Sequence, residues 1–119
     1  MSAVWPEEVA GFALRHHARL ALTQDEARRL AKAGDREIVV VADEQTGGHG
    51  RRGRSWTSPP GNLYATVVTT PGFAPAFVPA SSLIAATALC QALEGLADTP
   101  PPLAVKWPND VLLDGRKLA

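Results

Sequence analysis

Eleven consecutive residues, Thr46 to Trp56, read T-G-G-H-G-R-R-G-R-S-W and so concentrate four glycines and three arginines in a chain of 119 residues whose formal net charge is zero. Guanidinium groups carried on such permissive backbone suit a loop that closes over an anion, with a carboxylate or phosphate as the natural partner. Val39 to Asp43 precede it and predict the end of a strand, which would hold the loop at its entrance.

A second group of chemically capable residues is Lys106-Trp107-Pro108-Asn109-Asp110, flanked by Val105 and Val111. Lys106 is expected to leave a strand end toward a cleft, where its ammonium could meet a carboxylate or phosphate oxygen. Trp107 and Pro108 would supply a rigid apolar wall. Asn109 and Asp110 could hold backbone or support a metal-bound phosphate, or could simply make the turn between two strands.

Other readings of the arginine-rich loop are weaker on physical grounds. Gly48 to Ser55 fits the phosphate-loop spacing G-x-x-x-x-G-K-[ST] except that Arg54 replaces lysine. Such a loop must open a helix, whereas Trp56-Thr57-Ser58-Pro59-Pro60 follows and proline is incompatible with a helix interior. Arg and Gly near Trp56 and Tyr64 could grip a single-stranded nucleic acid, but twelve acidic residues cancel the twelve basic ones. A loop without a ligand is a further alternative.

The elements that must position these groups can be read from caps and periodicity. Thr23-Gln24-Asp25-Glu26 has capping-box spacing, with Thr23 as N-cap and Glu26 at the third helical position, and predicts a helix to about Ala33 stopped by Gly34. Ile38 to Ala42 predicts a buried strand, Pro59 to Asn62 a turn, and Leu63 to Thr70 a strand with mixed faces. A proline-bearing linker, Pro71 to Pro79, leads to a helix from Ser81 or Ser82 to about Leu96. Strands are expected at Leu103 to Trp107 and Val111 to Leu113, followed by a hairpin turn at Asp114-Gly115. Met1 to His17 is expected to give an edge strand after an irregular start at Trp5-Pro6, with His16 and His17 as surface residues lacking ligand-spaced partners. The pattern predicts an α+β fold, a mixed β-sheet packed with helices.

Composition narrows the class further. A hydrophobic content of 45% with 20% charged residues belongs to an ordinary globular domain. The lone Cys90 rules out a disulfide framework and a thiolate metal cluster, which fits a cytoplasmic setting. The most apolar window, Leu83 to Leu93, is shorter than the roughly 20 residues of a membrane span, so no membrane association is expected.

Taken together, the run Gln45 to Trp56, then Gly61-Asn62-Leu63-Tyr64, then Val105 to Asp110 and Gly115-Arg116-Lys117-Leu118-Ala119, resembles the catalytic domain of biotin protein ligases over about Leu20 to Ala119. The resemblance implies an α+β, biotin/lipoate ligase-like catalytic domain, of which residues 1–119 would be the N-terminal portion. It also implies that biotin and ATP with Mg2+ form biotinyl-adenylate, whose biotinyl group passes to a lysine of a biotin carboxyl carrier protein domain. Carried over by position, it places Thr23, Gln24, Gln45, His49, Gly50, Arg51 and Lys106 around biotin, with Lys106 and Arg51 catalytic. Arg52, Arg54, Trp56, Asn109, Asp110 and Lys117 fall on the adenylate side. No protein-held metal site is implied, Mg2+ arriving with ATP near Asp110.

Departures from the family pattern mark where specificity is open. Leu22-Thr23-Gln24 stands where the family has Ser-Thr-Asn, and His49 where it has arginine. Loss of the hydroxyl at Leu22 would leave a ligand polar atom unmatched, at about 1–3 kcal/mol. The alternatives are a ligase for lipoate or another acyl acid, a catalytically degenerate homologue, and a single-stranded nucleic-acid binding module. Some twenty residues precede Thr23, too few for the DNA-binding domain that many family members carry, so no direct role on DNA is expected; nor does the sequence include the family's small C-terminal β domain. A homodimer is compatible with the sequence.

Overall fold

The computed structural model describes residues 4–119, so expectations for Met1 to Ala3 lie outside the described residues. The elements, in chain order, are β1 (Glu8–Val9), β2 (Phe12–Leu20), α1 (Thr23–Lys32), β3 (Ile38–Gln45), β4 (Tyr64–Val68), α2 (Ser81–Gly95), β5 (Leu103–Lys106), β6 (Asp110–Leu113) and β7 (Arg116–Lys117). They form two compact units, one ending at Thr70 and the other beginning at Pro71. The α+β expectation of a mixed sheet with packed helices holds.

In the first unit the sheet order is β1-β2-β3-β4, with β2 parallel to β3 and the other pairs antiparallel. The β3 run Ile-Val-Val-Val-Ala puts Ile38, Val40, Val41 and Ala42 in the core, the near-continuous apolar pattern of a strand covered on both faces. The N-terminal segment supplies the edge of the sheet, as expected, through two-residue β1. It also supplies the longer strand Phe12–Leu20, paired with β3 along its length and flanked by β1 only at Phe12 and Ala13. Ala10 and Gly11, at φ 50 and 83, make the tight turn between β1 and β2. His16 also has a partner the sequence did not suggest: its Nε2 lies 2.9 Å from Asp43 Oδ1, and its ring stacks on Trp5.

Helix α1 begins one residue away from the expected cap. Leu22, not Thr23, is the N-cap, and no side chain caps the helix. Thr23 is buried against the sheet, so its hydroxyl meets Thr66 at 2.9 Å instead of turning back on the helix. The freed Thr23 N–H donates to Gln45 Oε1 at 2.8 Å. Glu26 is likewise drawn away from a capping role by Arg29, whose guanidinium hydrogen-bonds both carboxylate oxygens and holds the carboxyl below its ordinary range. The stop is as expected: Gly34 at φ 101 allows Gly34 N–H to reach Ala31 O and Asp35 N–H to reach Leu30 O, closing the last turn.

In the second unit β5-β6-β7 is an antiparallel meander. Helix α2 packs Ala86 and Cys90 on Val111, with Leu89 and Leu103 around them. The linker expected before α2 is instead a 3-10 turn, Pro75–Ala80, that runs straight into the helix. The combined stretch Pro75–Gly95 therefore has 21 residues and a mean hydropathy of 1.6 over an 18-residue window, enough by length and composition alone to cross a membrane, unlike the shorter window seen in sequence. Asp114 and Gly115, at φ 50 and 77, make the hairpin turn that Asp-Gly predicts.

Candidate functional site

The arginine-rich loop is a short, hydrogen-bonded hairpin rising from the end of β3. Its base is fastened where Gln45 N–H donates to Ser58 O, Thr46 N–H to Leu20 O and Gly47 N–H to Ala21 O, at 2.9 to 3.1 Å. Its stem is closed by Trp56 N–H to Gly48 O at 2.9 Å and by an antiparallel bridge between His49 and Ser55. The tip is a 3-10 turn, Arg51–Gly53, in which Arg52 takes a left-handed conformation at φ 61 and Gly53 follows at φ 71.

Glycine is required at one stem position by close approach. A Cβ on Gly48 would collide with the Trp56 carbonyl and lie 2.5 Å from Ser58 Oγ. Gly50 is different: its backbone is extended, and a Cβ there would meet only ordinary contacts at 3.9 and 4.0 Å. Arg51, Arg52 and Arg54 are exposed, and none of the ion pairs among the described residues uses them. Three charged forks on a tethered tip can close on an anion. His49 is exposed, with Nδ1 3.4 Å from Gly47 O, and Trp56 is half-exposed.

Beneath the hairpin lies a polar cluster built from three elements. Gln45, the last residue of β3, accepts from Thr23 N–H and donates from Nε2 to Ser58 Oγ at 3.3 Å. Ser58 is itself buried and donates to Trp56 O. On the other side, Thr66 of β4 contacts Thr23 Oγ1 and donates to Gln24 Oε1 at 3.1 Å. The structure thus brings Thr23, Gln24 and Gln45 together and joins to them Ser58 and Thr66, which the sequence reading did not name as candidates. The available signal for Thr66 was its place between Tyr64 and Val68 on the inward face of a short strand, where a hydroxyl calls for a partner.

Lys106, Asn109, Asp110 and Lys117 belong to the second unit. Lys106 ends β5, is exposed, and stands directly opposite Asp110 across the β5–β6 ladder. Asp110 opens β6 and does not sit in the turn, so the turn-only alternative applies to Trp107, Pro108 and Asn109, with a cis Trp107–Pro108 bond. Asp110 Oδ1 lies 3.3 Å from Lys117 Nζ on β7. The carboxylate thereby ties the strand carrying Lys117 to the strand opposite Lys106. Trp107, expected as a wall, is largely exposed. Among the described residues no three His, Cys, Asp or Glu side chains group as a metal site.

The chain matches the model of the biotin/lipoate A/B protein ligase family over residues 18–119. It is 47% identical over 103 residues to a biotin–[acetyl-CoA-carboxylase] ligase of Paracoccus denitrificans, covering 86% of this chain and 42% of that protein. It is 38% identical over 112 residues to the bifunctional ligase/repressor BirA of Bacillus subtilis, covering 92% and 34%. Among solved structures, biotin protein ligase from Leishmania major in complex with biotin superposes with a TM-score of 0.73 at 34% identity, over 88% of this chain and 48% of that one. The Aquifex aeolicus enzyme in complex with biotin and ATP gives 0.72 at 32% identity, over 88% and 43%. The chain spans less than half the length of each of these relatives. With the arginine hairpin, the polar cluster below it and the Lys106 to Lys117 strands all inside the matched region, this chain belongs to the biotin/lipoate A/B protein ligase family.

Proposed function

We propose that residues 1–119 form the N-terminal portion of the catalytic domain of a biotin–[biotin carboxyl carrier protein] ligase. The observation that carries this reading is the 47% identity to the Paracoccus ligase over 103 residues, with both cationic motifs inside the family match over residues 18–119. In the proposed reaction a carboxylate oxygen of biotin attacks the α-phosphorus of ATP and pyrophosphate leaves. The amine of a carrier-domain lysine then attacks the acyl carbon of biotinyl-adenylate, and AMP departs. The second step needs no side-chain nucleophile from this chain, because the acceptor brings its own.

Thr23, Gln24 and Gln45 would surround the biotin head group, and His49, Gly50 and Arg51 its carboxylate. Arg52, Arg54, Trp56, Asn109 and Lys117 would hold the adenylate. Lys106 and Arg51 would stabilise charge that develops as the carboxylate meets phosphorus, which lowers the barrier more than it tightens ground-state binding. Mg2+ fits the donor set as a phosphate-borne ion: Asp110 offers a single carboxylate already paired with Lys117, and the ion, when bound, would neutralise the departing pyrophosphate. The buried, unpaired thiol of Cys90 is consistent with a cytoplasmic setting.

The discriminating assay is biotin-dependent exchange of labelled pyrophosphate into ATP by the intact protein. Exchange with biotin is expected. Exchange supported only by lipoate or another acid would move the assignment within the family, and salt-sensitive binding of single-stranded nucleic acid in the absence of any exchange would replace it.

His49 offers a test of the loop. A guanidinium offers two parallel donors to a carboxylate or phosphate, whereas an imidazole offers no such fork. His49→Arg is therefore expected to slow dissociation of biotinyl-adenylate several-fold. An unchanged dissociation rate would show that the side chain at this position does not contact the ligand.

A further inference from the structure

We propose that Arg52 acts on the anion clamp through its backbone as well as its charge: as a strained residue at the hairpin tip, it sets how readily the hairpin opens and so how long biotinyl-adenylate is retained. This positioning role rests on the ligase reading and names the residue that times release of the intermediate.

The tip holds two consecutive left-handed residues, Arg52 at φ 61 and ψ 29 and Gly53 at φ 71, with Arg54 N–H returning to Arg51 O at 3.5 Å. Such a pair matches the type I′ turn of β-hairpins, whose first central position favours asparagine, aspartate or glycine. In other L-residues the left-handed conformation drives Cβ against the following carbonyl. Gly53 has no Cβ and Arg52 does. Arg52 is exposed and enters none of the ion pairs among the described residues, so no such contact offsets the strain.

Elsewhere the chain avoids or compensates the same strain. The β6–β7 hairpin turns on Asp114 at φ 50 and Gly115 at φ 77, a favoured Asp-Gly pair. Glu37, at φ 52, is held by its carboxylate, which accepts from Thr69 Oγ1 at 3.0 Å and from Thr70 N–H at 3.2 Å. Ala10 is left-handed without such help, but its turn closes only two-residue β1. At the arginine tip the backbone strain is joined by repulsion among Arg51, Arg52 and Arg54. A bound anion removes the repulsion and leaves the strain. Opening the stem, where Trp56 N–H meets Gly48 O, relieves Arg52, so adenylate is held against a cost built into the turn.

The test compares Arg52→Ala, Arg52→Asn and Arg52→Gly in the intact protein. All three lack the guanidinium, and they differ in how freely residue 52 becomes left-handed. In the ligand-free protein, hydrogen exchange at the Trp56 amide, which reads opening of the stem, should be about fivefold slower in the asparagine and glycine variants than in the alanine variant. Biotinyl-adenylate dissociation should follow the same order by a similar factor. The single-turnover rate of adenylate formation at saturating substrates should be equal in all three, which a general structural defect would not leave so. Equal exchange at Trp56 in the three variants would overturn the proposal, as would unequal exchange with equal adenylate release. A wild-type protein that forms no adenylate would overturn the ligase reading, and the Trp56 exchange rates, which need no ligand, would still decide whether Arg52 strains the hairpin.

Discussion

Replacing Lys106 with alanine is expected to slow single-turnover formation of biotinyl-adenylate by about a hundredfold or more, while biotin affinity changes far less. The size follows from what the removal of one preorganised charge donor costs where charge builds up in flight. The asymmetry follows because biotin's carboxylate is already negative when it binds, but the extra charge on the α-phosphate oxygens appears only during transfer. Lys106 has a defined platform for such a role, at the end of β5 and directly across the ladder from Asp110, which in turn meets Lys117 at 3.3 Å. Lys106→Arg should recover only part of the rate, since a planar fork does not place its charge where an ammonium does. Rapid-quench measurement of the adenylate would check this. An alanine variant with an unaltered single-turnover rate would remove Lys106 from the chemistry.

The second large effect is expected at Gly48, where the cause is steric. Gly48→Ala would drive a methyl group into the Trp56 carbonyl, the same residue whose N–H closes the hairpin on Gly48 O. Relief requires the two stem strands to part, which also disturbs Ser58 and, through it, Gln45. Overpacking of this kind costs about 1–3 kcal/mol, and because a carbonyl cannot rotate away as a side-chain end can, the upper part of that range is expected. Gly48→Ala should therefore lower the Tm by several degrees and release biotinyl-adenylate at least tenfold faster. Gly50→Ala is the matched control, with extended backbone and room for a Cβ, and it should keep the wild-type Tm. If Gly50→Ala nevertheless loses adenylate, the methyl group must be obstructing the ligand itself, as the proposed contact between Gly50 and the carboxylate requires. Equal thermal stability of Gly48→Ala and wild type would show that the stem opens freely.

Several features followed from local sequence because their causes are local. Asp114-Gly115 made its hairpin turn and Gly34 ended α1 because each depends on a backbone conformation that only a few residue types adopt cheaply. The Ile38 to Ala42 run became a buried strand because β-branched side chains in unbroken succession suit a strand covered on both faces. The two cationic motifs were legible for a similar reason, since charge and glycine density are properties of composition.

What the sequence could not decide was pairing. Thr23 had both the residue type and the spacing of a helix cap, yet the sheet beneath α1 gave its hydroxyl a better-placed partner in Thr66, 43 residues away. Met1 to His17 was expected to give one edge strand, and only the parallel register with β3 shows that a second strand, Phe12–Leu20, begins inside that segment and runs beyond it. Asp110 was open to two readings, a support for a metal-bound phosphate or part of a turn with Asn109, and its place opposite Lys106 and against Lys117 comes from hydrogen-bond register across three strands. The kinds of chemistry this chain can do were set by residue type and local spacing. Which oxygen accepts, which proton is spent and which charge is paired were decided by long-range contacts, because a hydrogen bond or ion pair depends on distances that neighbours in sequence do not determine.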